Sequence, residues 1–395
     1  MHKDFPKVIL KSGRERSVER FHLWIFSGAI NNIQGQPDDG DIVEVYSNAG
    51  KYLATGHFQK GSIMVRIFSF LQTDCEEDFW RKKIAGAHQY RQQLGFLNNT
   101  KTNVFRLVHG EGDGLPGLVA DFYNGTIVLQ AHSVGMFRLR EMFAGLFMQL
   151  PGNLVKGVLD KSEATLNSSD LKDEEKLLAG STEKVLVTEN DNQFEVDVRE
   201  GQKTGFFIDQ RDNRKMLQHF CKDKKVANLF SYTGGFSVYA ARGGARLIDT
   251  VDASEKAVRL AKTNMEINFG YNDQHRFYPM DVFDFLKNQQ EKYDVIVLDP
   301  PAFAKHRQVL DNALKAYRRL NETAIRKLLP GGILFTFSCS QVVSPDDFRL
   351  AVFAAAASTG RQVRIVHQLG QPADHPVNLY HPEGQYLKGL ILFVE

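Results

Sequence analysis

Hydrophobic and polar positions follow three different rhythms along the chain, and each predicts a different architecture. From Val8 to about Phe70 the apolar residues come in short runs broken by Gly, Asn and Asp, as in "GDIVEVYSNAGKYLATGHF" and "SIMVRIFSF". Runs of this length between turn formers predict short strands and a small, mostly β module. A helix over Asp78–Leu97 follows, where Phe79, Ile84, Ala87, Tyr90 and Leu94 recur at helical spacing. Three strand-like pieces come next, "NVFRLVH", "GLVADF" and "TIVLQAH", separated by the turns "GEGDGLPG" and "YNG". The acids near Asp113 read as turn formers. A helix near Gly135–Leu150 and strands at Leu154–Leu159 and Lys184–Val198 complete a mixed α+β block, with polar "NSSDLKDEEK" as a loop.

From about Gln193 the pattern becomes strand and helix in alternation, which predicts a doubly wound parallel sheet. The strands expected are Val226–Phe230, Leu247–Asp252, Arg276–Met280, Val295–Asp299 and Ile333–Ser338. Between them lie the helices "SEKAVRLAKTNMEINF" and "NALKAYRRLNETAIRKLL", and "VRIVHQL" and "LKGLILFVE" close the chain as two further strands. The chain therefore divides into expected domains at 1–72, 73–190 and 191–395.

Composition narrows this picture only a little. With 395 residues, 43% hydrophobic and 24% charged, the chain has the make-up of an ordinary globular protein large enough for several domains. A net charge of +2 permits an RNA partner without indicating one. Cys75, Cys221 and Cys339 stand far apart, giving neither a disulfide framework nor a metal pattern, so no metal is expected. The start lacks an apolar core and no run could span a bilayer; a cytoplasmic protein without a membrane partner is expected.

In such sheets ligands sit beyond the carboxyl ends of the strands, so the residues just after each strand carry the chemistry. The first strand is followed by "NLFSYTGGFSVYAARGG", where Gly234 and Gly235 would let a ligand approach the backbone. The spacing is not that of a dinucleotide fingerprint. Asp252 ends the second strand, where an acid can bind a ribose diol, and Asp281 follows the third, where it can accept from an adenine amino group. Either acid is also placed to cap a helix. An adenosine pocket without a phosphate loop points to S-adenosyl-L-methionine ahead of a nicotinamide or ATP.

The fourth strand runs into "VLDPPAFAK". This resembles the Asp-Pro-Pro-aromatic loop of enzymes that methylate exocyclic amines, except that Ala302 holds the aromatic place and Phe303 comes one residue late. The fifth strand ends in "FSCS", which sets Cys339 at the mouth of the same crevice. An amine needs no covalent catalyst. Carbon 5 of a pyrimidine is a poor nucleophile, and a thiolate adding to carbon 6 makes it electron-rich. Cys339 is then the nucleophile, and Asp299 a partner for the N3 edge of the ring. Cys75 and Cys221 read as small buried residues. Arg14, Arg16 and Arg20, beside Phe21, Trp24 and Phe26, form either a solvated turn or a phosphate-contacting face, and Lys305 with Arg307 leaves the same two readings.

Taken together, "RFHLWIFSGAI", "GDGLPGLVADFY", "GQKTGFFIDQRDNR", "NLFSYTGGFSVYAARGGA", "LDPPAFAK", "FSCS" and "ADHPVNLYHPEGQYLKG" resemble the RlmI-like family of bacterial 23S ribosomal RNA cytosine-C5 methyltransferases over nearly the whole length. The resemblance implies an α/β fold. A Rossmann-like class I methyltransferase domain would follow a small β-rich PUA-like RNA-binding domain and a central α+β domain. It implies 23S rRNA as partner and S-adenosyl-L-methionine as cofactor. Phe230, Tyr232 and Gly234 would form the cofactor loop, Asp252 would hold the ribose and Asp281 the adenine. Asp299 and Pro300 would lie beside the methyl donor and target base, with Cys339 as nucleophile. RNA C5-methyltransferases more broadly carry a second cysteine in the loop after the fourth strand, where this family and this chain have Pro301. Asp209, Gln210 and Arg211 either border the cofactor pocket or start a helix. Two other readings stay open: an N-methyltransferase of an RNA base, and a non-catalytic RNA-binding assembly factor.

Overall fold

The computed structural model describes residues 4–166, 176–182, 185–304 and 306–395. The chain forms two compact units. The first comprises Met1–Val187, Val196–Ile208 and Ala373–Gly384; the second comprises Thr188–Glu195, Asp209–Pro372 and Gln385–Glu395.

Within the first unit, the short apolar runs form a six-stranded sheet. Its spatial order is Trp24–Phe26, Ile63–Ser69, Tyr52–Phe58, Ile42–Tyr46, Lys7–Leu10 and Ile30–Gln34. Val8, Leu10, Val43, Val45, Val65 and Ile67 point into one core, as the alternation of the sequence requires. A second sheet of five strands follows, ordered Lys176–Gly180, Gly157–Asp160, Thr126–Ala131, Leu118–Tyr123 and Val104–His109. Helices Glu77–Gln93 and Arg140–Met148 supply Trp80, Ile84, Phe143 and Phe147 to its core. Asn124 and Gly125 both take positive φ, as the tight hairpin turn demands.

Three expectations change here. The region near Gly135–Leu150 is two helices, Val134–Arg138 and Arg140–Met148. The stretch Lys184–Val198 is a pair of strands, Val185–Glu189 and Asn192–Val196, because Asn190 (φ 49°) and Asp191 (φ 65°) turn the chain. Of "NSSDLKDEEK", residues 167–175 lie outside the described residues, while Lys176 begins a strand.

A buried ion pair organises the central block. Arg91 is fully buried; its Nη1 and Nη2 donate to Asp113 Oδ1 and Oδ2 at 2.5 and 2.8 Å, and Nη2 also donates to the Asp374 carbonyl at 2.8 Å. Asp113 accepts the His109 N–H at 2.6 Å, so this acid shapes its turn and neutralises a buried cation at once. Asp374 Oδ2 accepts the Arg106 N–H at 2.9 Å, anchoring segment Ala373–Gly384 to this unit.

The second unit contains one seven-stranded sheet. Its strands are β1 (Lys225–Leu229), β2 (Leu247–Asp252), β3 (His275–Pro279), β4 (Tyr293–Leu298), β5 (Leu328–Ser338), β6 (Val363–Leu369) and β7 (Lys388–Val394), in spatial order 3-2-1-4-5-7-6. β1 to β5 are parallel, and β7 runs antiparallel between β5 and β6. The expected strands and helices fall within a few residues of these, β5 starting earlier at Leu328. Beneath the sheet, Glu189 holds fully buried Arg214 through Nε and Nη2 at 2.9 and 2.7 Å and accepts from Tyr239 at 3.0 Å.

Replacing Asp113 by Ala leaves Arg91 buried without its counter-charge. Loss of one partner of a buried pair costs about 3–5 kcal/mol. A fall of that size in the denaturant-unfolding free energy is expected, with Asp113→Asn milder.

Candidate functional site

The parallel register brings the ends of the strands together. Leu229 at the end of β1 pairs with Val251 of β2 and with Leu298 of β4, and Leu298 pairs with Thr336 of β5. The loops that follow these strands therefore open on one edge of the sheet.

The loop after β1 is held in an unusual conformation. Phe230 (φ 59°) and Tyr232 (φ 46°) are non-glycine residues in the left-handed region, and Gly234 (φ 78°) joins them. Such positions cost of order 1–3 kcal/mol and persist where the surroundings over-determine them. Asp252 supplies part of that determination: its Oδ2 accepts the Tyr232 N–H at 2.8 Å and its Oδ1 the Ser254 N–H at 2.9 Å. A Cβ on Gly234 would stand 2.8 Å from the Ala261 Cβ, so the position takes no side chain without a shift.

The two acids of the expected adenosine pocket behave differently. Asp281 is a helix N-cap; its Oδ1 accepts from Phe283 N and Asp284 N at 2.8 and 3.2 Å, and the residue is exposed. Asp252 is no cap. Ser254 caps the helix Glu255–Phe269, and Asp252 binds that cap residue instead. The hydroxyl of Ser231, buried between Phe230 and Tyr232 in the loop after β1, has no hydrogen-bond partner among the described residues. An unsatisfied hydroxyl, a backbone cradle and carboxylates at successive strand ends fit the ribose and adenine of a nucleoside ligand.

At the other side of β1, Cys339 and the Asp-Pro-Pro loop meet: Cys339 Sγ lies 4.0 Å from the Pro300 carbonyl. Cys339 and Asp299 are both half-buried, Pro300 is buried and Pro301 exposed. Phe303 packs on Tyr317 with ring centroids 4.7 Å apart, as part of the core and not as a clamp over a ligand. Tyr317, from the helix Leu310–Lys327, also fixes the residues flanking Cys339. Ser338 Oγ donates to its hydroxyl at 2.9 Å, and Ser340 Oγ lies 3.2 Å from it.

Gln210, expected either to border the pocket or to start a helix, completes the site together with Asn213 and Lys388, which lie outside the expected set. Gln210 Nε2 donates to Asp299 Oδ1 at 2.9 Å, and Asn213 Nδ2 donates to Gln210 Oε1 at 2.7 Å. Buried Lys388 donates to the carbonyls of Ser340 and Tyr386 at 2.6 and 2.7 Å. Burial pushes its ammonium from 10.5 down to about 8, and the neighbouring Cys339 charge opposes that fall. By contrast, burial pushes the Cys221 thiol up to about 12, which suits an inert core cysteine. "DQRDN" and "YLKG" were both visible as distinctive strings, yet nothing in their spacing links them to Asp299 or Cys339.

Of the basic candidates, Arg14, Arg16 and Arg20 lie in the first unit and Arg307 in the second. Arg14, Arg16 and Arg20 are exposed around the short helix Arg16–Glu19 and form no ion pair among the described residues. Phe21 (φ 66°) is 47% exposed, packing on Phe70 and on Tyr380 at 5.1 and 5.3 Å between centroids. Lys305 lies outside the described residues, and Arg307 is exposed.

Comparison with known proteins gives these arrangements a context. The family model for S-adenosylmethionine-dependent methyltransferases matches residues 171–389, and that for PUA-like domains matches residues 8–70. The chain is 38% identical over 393 residues to the ribosomal RNA large subunit methyltransferase I of Aeromonas salmonicida (strain A449), and 40% identical over 396 residues to that of Shewanella frigidimarina (strain NCIMB 400). Each alignment covers 98% of both chains. A solved structure of a candidate SAM-dependent methyltransferase from Streptococcus mutans superimposes with a TM-score of 0.85 at 24% identity, over 98% of this chain and 100% of that one. The last likeness establishes the shared fold.

Two measurements test the site. Gly234→Ala should weaken nucleoside-ligand binding at least tenfold by isothermal titration, because both φ and the Ala261 contact oppose a Cβ. Lys388→Met should slow iodoacetamide alkylation of Cys339 several-fold at pH 7, since a thiolate loses its neighbouring cation. The ratio between the two proteins should close as pH rises through about 8, where the wild-type ammonium gives up its proton.

Proposed function

Because the chain belongs to the family of S-adenosylmethionine-dependent methyltransferases and carries a PUA-like domain, we propose that it forms 5-methylcytosine in 23S ribosomal RNA. The observation that carries this reading is the approach of Cys339 to the Asp299-Pro300 loop at the ends of neighbouring strands. A thiol there has no purpose in amine methylation and an essential one in carbon-5 chemistry.

The cofactor fits the residues described. Phe230, Tyr232 and Gly234 would give its backbone cradle, Asp252 would accept from the ribose hydroxyls and Asp281 from the adenine amino group, with Asp299 and Pro300 at the reacting end. When bound, S-adenosylmethionine supplies an electrophilic methyl group. The Cys339 thiolate forms a bond to carbon 6 of the cytosine and places electron density on carbon 5. Once carbon 5 carries the methyl group, its proton leaves to a base and the thiolate is expelled, restoring the ring. Gln210 holds the Asp299 carboxyl in one rotamer, so that it can engage the N3 and N4 edge. The Lys388 ammonium stabilises negative charge on sulfur before addition and after expulsion.

A cytosine in a helix or stacked loop must be turned out to reach Cys339. An auxiliary domain that grips the flanking strand serves that requirement. Residues 1–72 would be this RNA-binding domain, 73–190 the central domain and 191–395 the catalytic one. Arg14, Arg16 and Arg20 would meet phosphates, exposed Phe21 and Tyr380 offer faces for stacking, and Lys305 would serve beside the catalytic loop. A ribosomal RNA substrate supports a cytoplasmic location. The packing of Phe303 into the core weighs against an N-methyltransferase, whose loop would need that ring over the amine.

Cys339→Ala should abolish 5-methylcytosine formation while S-adenosylmethionine binding stays within a few-fold of wild type. Mass spectrometry of nucleosides from methylated rRNA reads the product. An N-methylated cytosine, or undiminished 5-methylcytosine from the variant, overturns the covalent reading. RNA binding with no consumption of cofactor would instead favour the assembly-factor reading.

A further inference from the structure

The first unit holds a cluster of ligating groups that the proposed chemistry does not use. His22 follows the basic helix, while His381 and Glu383 come from segment Ala373–Gly384 of the same unit. His22 Nε2 lies 3.2 and 3.3 Å from the two Glu383 carboxylate oxygens. His381 Nδ1 stands 3.4 Å from Glu383 Oε2 without hydrogen-bond alignment, and is a buried ring nitrogen with no partner, in a residue only 1% exposed. All three ligand atoms fall within 4.8 Å of one another.

We propose that His22, His381 and Glu383 form a binding site for a divalent transition-metal ion of the zinc type. Metal bonds of about 2.0–2.2 Å at tetrahedral angles separate ligand atoms by roughly 3.3–3.5 Å. The His22–Glu383 and His381–Glu383 approaches, 3.2 and 3.4 Å, already have about that length, and rotation of one imidazole closes the third edge. Two imidazoles and a carboxylate suit zinc, cobalt, nickel or copper better than magnesium or calcium.

The surroundings supply the outer contacts such a site needs. His22 Nδ1 lies 3.1 Å from the Trp24 carbonyl and 3.2 Å from the Trp24 N–H, so Trp24 orients the ring; the tautomer that donates Nδ1–H to the carbonyl leaves Nε2 unprotonated for the metal. The Trp24 indole meets the His381 ring edge-on at 4.4 Å and donates to Glu111 Oε1 at 2.9 Å. That places a second carboxylate's charge beside the cluster. A bound ion would clamp the strand Trp24–Phe26 to segment Ala373–Gly384, and with it fix Tyr380 against Phe21.

The test is titration of the full-length protein, freed of metal with a chelator, with Co²⁺ and Zn²⁺. One equivalent of Co²⁺ should bind with micromolar or tighter affinity and give visible d–d absorption without a thiolate charge-transfer band. Zn²⁺ should displace it and raise the melting temperature. His22→Gln, His381→Gln and Glu383→Gln should each weaken binding at least tenfold, while the exposed His367→Gln should not. Absence of saturable binding overturns the proposal. So does a thiolate band that disappears with Cys339→Ser, or unchanged affinity in folded variants of all three ligands. Should one variant fail to fold, the remaining two and the wild-type spectrum decide.

Discussion

The site depends on the register of a parallel sheet. Because β1, β2, β4 and β5 run the same way and pair residue for residue, their carboxyl ends must arrive at one edge. Residues from Gln210 to Lys388 then share a space without any local sequence signal to bring them there. A parallel sheet is buried on both faces, so a slip of one residue would exchange closely packed side chains between the two faces and displace the site together. The hydrophobic cost of misregister thus protects the chemistry. Leu229, Leu298, Leu334 and Tyr317 are all fully buried around it.

Against that rigid frame the loops store strain. Phe230 and Tyr232 hold backbone angles that side chains disfavour, and the Asp252 carboxylate bonded to Tyr232 N–H offsets part of the cost. An acid in this place therefore has two uses. It pins the loop through two backbone donors, and it retains lone pairs on each oxygen for a ligand. A helix cap would have used it up, and Ser254 takes that duty instead. Asp281 divides its duties differently, capping with one oxygen only.

How far the sequence could be read follows from this division between local and non-local physics. Alternation and helical spacing are local, so the strands β1 to β7 and the helices between them were legible within a few residues. Acids at strand ends were legible because the fold class places them. Lys184–Val198 reads as one stretch because "NDN" turns a chain only when both central residues enter the left-handed region, which some Asn and Asp residues here do (Asn98, Asn124, Asn153, Asp223) and others do not. The contacts of Gln210, Tyr317 and Lys388 are not legible for another reason. Each reaches Asp299 or the flanks of Cys339 across more than twenty residues of chain, and no periodicity encodes such a contact. His22 and Glu383 make the extreme case, 361 positions apart, where motif spacing has nothing to say about ligation.

Lys388 shows best what the packing is for. Its ammonium is buried and bonded to two carbonyls, Ser340 and Tyr386, and no ion pair among the described residues gives it a carboxylate. Carbonyl dipoles do not neutralise a charge, and burial alone lowers its proton affinity to about 8. For stability, a methionine of similar length would serve the position better, since an uncompensated buried cation is a net cost. The arrangement makes sense when the missing anion is transient. In the proposed carbon-5 chemistry a thiolate at Cys339 would be such an anion, present only before addition to the base and after its expulsion. A carboxylate partner would neutralise Lys388 permanently and leave nothing for sulfur. Two carbonyls hold the cation in place and keep its charge available, which is what a nucleophile that must form and leave in one cycle requires.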